Sequence, residues 1–223
     1  MMDQPCSYED LRDCLSSLSR VNRLTLAHRP TLIWLEKLRR ANAFDRQTIH
    51  ILDVGCGYGD LLRRIHRWAK AHNVSVTLTG VDLNSDAIRA AREATPEGIA
   101  TFHAGNAFAY AAPEGIDLIV SSMVMHHLED AAIVEFLAWL EATARIGWFI
   151  SDLHRQPVPY RLFRLLTRFT TWHRFTKHDG AISILRSFRH QDWRTLLRSA
   201  NIPVDCYRLE EFRPARLCVA RER

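Results

Sequence analysis

The sequence lacks any run of the roughly 20 uninterrupted apolar residues that a membrane-spanning helix requires. Even Ala131 to Ile150 carries Glu135, Glu141 and Arg145, which excludes an integral membrane helix there. Paired cysteines are missing too. The five present (Cys6, Cys14, Cys56, Cys206 and Cys218) are odd in number, far apart and form no Cys-x-x-Cys, so they are expected to be reduced thiols. The opening Met1-Met2-Asp3-Gln4-Pro5 runs into Glu9 and Asp10 without the basic start or apolar centre of an export signal, and a cytoplasmic location is expected. No internal repeat and no linker rich in Gly, Ser or Pro divides the chain. No His-Glu-x-x-His or comparable helical spacing is present, so no metal is expected.

What remains is the composition of one packed domain. The 223 residues are 47 % hydrophobic and 25 % charged, too apolar for a disordered chain and long enough for a sizeable core. Charge is divided unevenly: residues 1–150 hold 15 Lys+Arg against 18 Asp+Glu, whereas residues 151–223 hold 15 against 7. A basic final third suits a nucleic acid, an anionic membrane surface, an acidic small substrate or simply a solvated face.

Residues 8 to 40 show apolar steps of three and four (Leu11, Leu15, Leu18, Val21, Leu24, then Leu32, Leu35, Leu38), broken at Arg29-Pro30, and predict two helices. Strand and helix then alternate. Strands are expected at Ile49 to Val54, Val74 to Val81, Ile99 to His103, Ile116 to Ser121 and Ile146 to Leu153, and helices at Leu61 to Ala71, Ser85 to Glu93 and Asp130 to Thr143. Short apolar strands separated by helices predict an α/β fold, a Rossmann-like and mostly parallel sheet with crossover helices. The alternation lapses after Leu153 for nearly forty residues. It resumes with a helix at Gln191 to Ser199 and two closing strands, Val204 to Glu210 and Ala215 to Ala220, which bring the sheet to seven. The expected organisation is a single domain: a helical cap over 1–44, a cofactor-binding core over 45–153, a basic helical insertion or lid over 154–190, and a closing helix and strand pair over 191–223.

The first strand ends in Gly55-Cys56-Gly57-Tyr58-Gly59, a glycine-rich turn that lets backbone approach a nucleotide closely. The spacing misses G-x-G-x-x-G by one residue, and no P-loop Lys follows, so a phosphate cradle is not indicated. Asp82, at the end of the second strand, is placed to accept hydrogen bonds from ribose hydroxyls. Asp53, at the loop entrance, is awkward beside a pyrophosphate and suited to an ammonium or sulfonium.

Leu52-Asp53-Val54-Gly55-Cys56-Gly57-Tyr58-Gly59 resembles the first motif of the class I S-adenosylmethionine-dependent methyltransferases. Val81-Asp82-Leu83 is similar to their ribose-binding acidic motif, Gly105-Asn106-Ala107 to their adenine-flanking motif, and Ile116 to Ser121 to their fourth strand. The resemblance covers about residues 45 to 153. It implies a methyltransferase using S-adenosylmethionine and leaving S-adenosylhomocysteine, with Asp53, Gly55, Cys56, Gly57, Gly59, Asp82, Leu83, Asn106, Ala107 and Ser121 about the cofactor. Asn106 stands where the family usually has Asp, and its amide oxygen accepts without charge.

Methyl transfer is an in-line displacement, so the protein positions the acceptor and, for a hydroxyl, removes its proton. Histidine suits that task near pH 7. His126 and His127 follow the fourth strand. His154 follows the fifth and shares a strand face with Asp152, as an orienting carboxylate and base would. His178, beside Asp179, lies in the insertion. The same insertion spaces Leu162, Leu165, Leu166 and Phe169 on one helical face and Arg161, Arg164 and Arg168 on another, a basic amphipathic helix that could pack on the sheet, line a greasy pocket or touch a membrane through 160–175.

Family members acting on adenine amines or cytosine carbon carry Pro-containing motifs where this chain has Ser121-Ser122-Met123-Val124, so no nucleic-acid partner is expected. Short segments (Arg20-Val21-Asn22-Arg23, Asp152 to Arg155, Lys177 to Gly180) are similar to small bacterial methyltransferases of polyketide, phenolic or quinone-like metabolites in secondary metabolism. That implies O-methylation of a hydrophobic aromatic small molecule, with Asn22, Tyr160 and His178 lining its pocket. N- or C-methylation and a non-catalytic adenosine-nucleoside sensor stay open.

Overall fold

A computed structural model describes residues 7–44, 48–155 and 186–223. The expected insertion helix, with Tyr160, His178, Asp179 and the stretch 160–175 that could touch a membrane, lies outside the described residues.

Two helices come first, α1 (Tyr8–Leu24) and α2 (Arg29–Arg40). Ser7 caps α1 by accepting a hydrogen bond from the Asp10 amide at 3.1 Å. Pro30 begins α2 rather than ending a helix, because its fixed φ suits a first turn whose amides have no partners; the break falls just before it. Alternation then follows as β1 (Ile49–Val54), α3 (Asp60–Ala71), β2 (Val76–Asp82), α4 (Ser85–Ala94), β3 (Thr101–Ala104), β4 (Ile116–Ser122), α5 (Asp130–Thr143) and β5 (Ala144–Leu153). A last helix, α6 (His190–Ser199), precedes β6 (Tyr207–Phe212) and β7 (Arg216–Glu222). The expected strand from Val204 starts three residues late, because Val204–Cys206 forms a single helical turn after Pro203.

The seven strands lie in the order β3-β2-β1-β4-β5-β7-β6, with β7 antiparallel to both neighbours and the rest parallel. This is the α/β architecture expected. The order reverses between β1 and β4, and the crevice at such a switch point is where open α/β sheets bind ligands. β3 departs from the expectation of strands covered on both faces: it is an edge strand with only Phe102 buried.

Side-chain alternation splits the core into two layers. Leu52, Ile119, Trp148 and Ile150 face α5 and α6, meeting Leu137, Trp193 and Leu197. Ile51, Leu118, Val120 and Phe149 face the other way, onto Trp34 and Leu35 of α2 and Leu62 and Ile65 of α3. Each such fully buried side chain contributes about 1.5–3 kcal/mol from removal of apolar surface from water. α1 packs separately on α4 through Leu11, Leu15, Ala87 and Ala90, with Tyr58 of the glycine loop at the margin. The amino-terminal helices are thereby anchored at the loop end of the sheet.

Candidate active site

The carboxyl ends of β1, β2, β4 and β5 gather the residues singled out in the sequence. Gly55 turns the chain at φ +72°, and a Cβ there would collide with Val124, so β4's exit loop packs directly on this glycine. Gly57, at φ +50°, has nothing among the described residues within 4 Å of where a Cβ would be, which leaves open space above it there. Gly59 precedes α3 and lies against the ring of Phe102. Cys56 turns its side chain inward and is buried beneath the loop, against Gly80, so that only its backbone is available to a ligand. Burial and the nearby carboxylates, Asp53 foremost, push its thiol well up.

Asp82 braces the loop: one carboxylate oxygen accepts from the Gly57 amide at 2.9 Å and the other from the Asn84 amide at 3.0 Å. Leu83 beside it is 78 % exposed, an apolar side chain open to a flat partner. Asp53 is buried, and burial, then Asp60, then Asp82, hold its carboxyl well above the ordinary range. Asn106 caps the short turn Ala107–Ala109 through its amide oxygen, which accepts from the Phe108 amide at 3.0 Å; one lone pair of that oxygen remains for a second donor. Ala107 is buried under this turn. The Ser121 hydroxyl donates to the Val54 carbonyl at 3.0 Å and ties β4 to β1.

Sequence reasoning missed a third carboxylate. Asp60, the first residue of α3, meets His28 Nε2 at 2.7 Å and accepts from the Asn22 amide at 3.3 Å. Burial pushes its carboxyl up, but the His28 hydrogen bond and charge, helped by Asn22 and Arg63, bring it below the usual range. Asn22, expected to line an acceptor pocket, instead joins α1 to the start of α3. The signal was present in the sequence as an acidic residue directly after Gly59, at a helix start that favours negative charge.

At the end of β4 the chain kinks through Met123, whose φ of +65° is strained for a side chain of that size. Its amide donates to the Ser151 carbonyl at 2.9 Å, and the turn Met125–His127 follows. Buried Asp152 grips that turn: one oxygen meets His126 Nδ1 at 2.7 Å and the other accepts from the His126 amide at 3.3 Å. Burial pushes the Asp152 carboxyl up, yet His126 by charge and hydrogen bond, with the Leu153 amide and Arg216, holds it low. The expected pairing of Asp152 with His154 is therefore corrected, because the carboxylate is spent on His126. His126 is buried, and its ring stacks 4.1 Å from that of exposed His127. His154 instead turns toward His190 and Glu211.

Arg216, at the start of β7, is a second residue that sequence reasoning missed. It is buried at these strand ends, where Met123 sulfur is its partner, and burial lowers its guanidinium against the pull of Asp152. A shallow groove lined by Leu32, Lys37, Trp68 and His72 lies between α2 and α3, at the far end of α3 from Gly59, away from these groups.

The methyltransferase domain family matches residues 51–147. No curated protein matches the chain. Among solved structures it is similar to the magnesium protoporphyrin IX methyltransferase of Synechocystis PCC 6803 with bound SAH, at 13 % identity over 99 % of this chain and 90 % of that one, with a TM-score of 0.55. It is similar to human N-acetylserotonin methyltransferase in complex with SAM, at 16 % identity over 97 % of this chain and 56 % of that one, TM-score 0.64. A SAM-dependent methyltransferase from Aquifex aeolicus matches at 14 % identity over 97 % and 98 % of the two chains, TM-score 0.60. At such identities the structural likeness is one of fold. The domain match over residues 51–147, the motifs of the strand ends and the sheet order are together those of a class I S-adenosylmethionine-dependent methyltransferase domain.

Proposed function

We propose that the chain transfers the methyl group of S-adenosylmethionine to a hydroxyl of a hydrophobic aromatic small molecule. The observation that carries this reading is convergence: the open space over Gly57, the Asp82 carboxylate and the turn gripped by Asp152 all occupy the carboxyl end of one sheet, around its switch point. S-adenosylmethionine supplies an electrophilic methyl group when bound.

In this reading Gly55, Gly57 and Gly59 would hold the amino acid part of the cofactor, and the Asp53 carboxyl would favour its ammonium group. Asp82 exchanges a backbone partner for ribose hydroxyls, Leu83 and Ala107 flank adenine, and the remaining lone pair of Asn106 accepts from its amino group. Cys56 and Ser121 act through backbone position and strand packing. His127, exposed at the mouth, takes the acceptor's proton. His126 and Asp152 are positioning residues: they fix the turn that presents His127. α1 and α2 wall the acceptor site. A small-molecule acceptor is supported by the names of the similar structures, which specify magnesium protoporphyrin IX and N-acetylserotonin.

His127→Ala tests the base. Removing a positioned general base costs about 10²–10⁴ in rate. Methyl transfer at saturating cofactor should fall by that factor while SAH affinity, read by calorimetry, stays unchanged. An unchanged rate would show that the acceptor needs no proton removal at His127, as for a neutral amine or an activated ring carbon.

A further inference from the structure

Where the fifth strand leaves the sheet, three side chains that the methyl-transfer reading does not use converge on one point. His154 extends β5, its amide donating to the Ala215 carbonyl at 3.0 Å, and it forms an isolated bridge with Phe188. Strand alternation puts it on the face of Ile150 and Asp152, the side covered by α5 and α6. Glu211, on β6, shares the face of Leu209, which packs against that same core layer. His190 opens α6 above them.

His154 Nδ1 lies 3.7 Å from one Glu211 oxygen and His190 Nε2 lies 3.4 Å from the other, and one ligand atom from each residue can be chosen so that all fall within 4.8 Å of one another. Both separations exceed the ~2.7–3.2 Å of a hydrogen bond. The His190 separation matches the edge of a tetrahedron, about 3.3–3.5 Å, built on metal bonds of ~2.0–2.2 Å from imidazole nitrogen and carboxylate oxygen, and the His154 separation, to the other oxygen, is slightly longer. The two imidazole rings meet nearly at right angles, 79° apart with centroids 5.4 Å apart, so they approach the shared point from different directions.

We propose that His154, His190 and Glu211 form a binding site for a zinc-like divalent cation, with a fourth position open to water or another ligand. Two imidazoles and one carboxylate favour a borderline transition metal over magnesium or calcium, which prefer all-oxygen shells. His154 and His190 stand on either side of the chain between Leu153 and α6, already joined by the Arg155 amide to the Phe188 carbonyl at 2.9 Å and by Arg155 to Asp192 at 2.6 Å. A cation there would pin a strand end, a helix start and the edge strand together.

The test uses the full chain, stripped with chelator and titrated with Zn(II) and, separately, Co(II). The wild type should retain one zinc per chain after dialysis, show the visible bands of four-coordinate cobalt, and be insensitive to excess Mg(II). His190→Ala and Glu211→Gln change half-exposed side chains. Each should weaken zinc binding by at least about tenfold while the circular dichroism spectrum and SAH affinity match wild type. Substoichiometric zinc in the wild type, or retention that neither substitution lowers, would overturn the site.

Discussion

Single residues in the glycine loop divide structural from ligand-directed roles. Gly55 is held by the contact with Val124, so an added Cβ strains both the fold and the site. Gly57 differs, because an added Cβ there would be opposed by the φ of +50° and would meet no described atom within 4 Å. Gly57→Ala should therefore cost about 1–2 kcal/mol of stability from the left-handed conformation alone, read from chemical unfolding. The same change should weaken SAH binding at least tenfold, read by calorimetry. Equal losses at Gly55→Ala and Gly57→Ala in both measurements would remove the cofactor from above Gly57.

Asp53 carries a second prediction at this scale. Its folded-state pKa lies above the unfolded value, so its favourable contribution is complete below the unfolded pKa and is lost as pH rises through the folded one. At neutral pH the buried carboxyl thus opposes folding, and Asp53→Asn should raise apo stability in urea at pH 7 while weakening SAH binding. Binding of SAH to the wild type should release protons, measured as a dependence of calorimetric heat on buffer ionisation enthalpy. Proton uptake would contradict the placement of a cation beside Asp53. The Asp53 and Asp82 positions were legible in the sequence, because each closes a strand before a turn. His28, Asp60 and Arg216 were not. Their roles depend on contacts between residues 32 apart in sequence for the first pair, and 93 apart for Arg216 and Met123, which no local pattern encodes.

At the scale of elements, α6 shows how a short helix holds the carboxyl-terminal strands. Trp193, Leu196 and Leu197 form its buried face, and the Trp193 ring lies 4.6 Å from that of Phe188 at a tilt of 37°, while its indole nitrogen is buried without a partner among the described residues. Trp193→Ala should destabilise by about 3–5 kcal/mol through the cavity left behind. Trp193→Phe should cost markedly less, since it keeps most of the ring and removes an unsatisfied donor. Chemical denaturation of the two variants checks this; equal losses would mean that the indole N–H is satisfied in solution. Element existence and order were readable from the alternation of periods two and 3.6, and α5 falls where the spacing placed it. Element ends were less readable. Pro203 starts a turn that displaces β6, and the exposed alternation in β3 has too few apolar residues to mark an edge strand.

Across the whole molecule, the sheet order sets the division of labour. Reversal between β1 and β4 opens a crevice at the carboxyl ends of the strands, while antiparallel β7 brings Arg216 to that same end, against Met123. The histidines illustrate why long-range pairing escapes a sequence reading. Strand alternation alone matched Asp152 with His154, whereas the fold folds His126 back onto Asp152 and leaves His154 to His190 and Glu211. Among the described residues no helix is long and apolar enough to cross a membrane.

The central claim is methyl transfer from S-adenosylmethionine, held at Asp82 and the glycine loop, to a small molecule. The most direct measurement incubates the purified chain with methyl-labelled S-adenosylmethionine and bacterial extract, then separates organic-soluble, nucleic-acid and protein fractions. Label should enter the organic-soluble fraction with the wild type and be lost with Asp82→Ala. Label in nucleic acid or protein, or label unaffected by that substitution, would contradict the account.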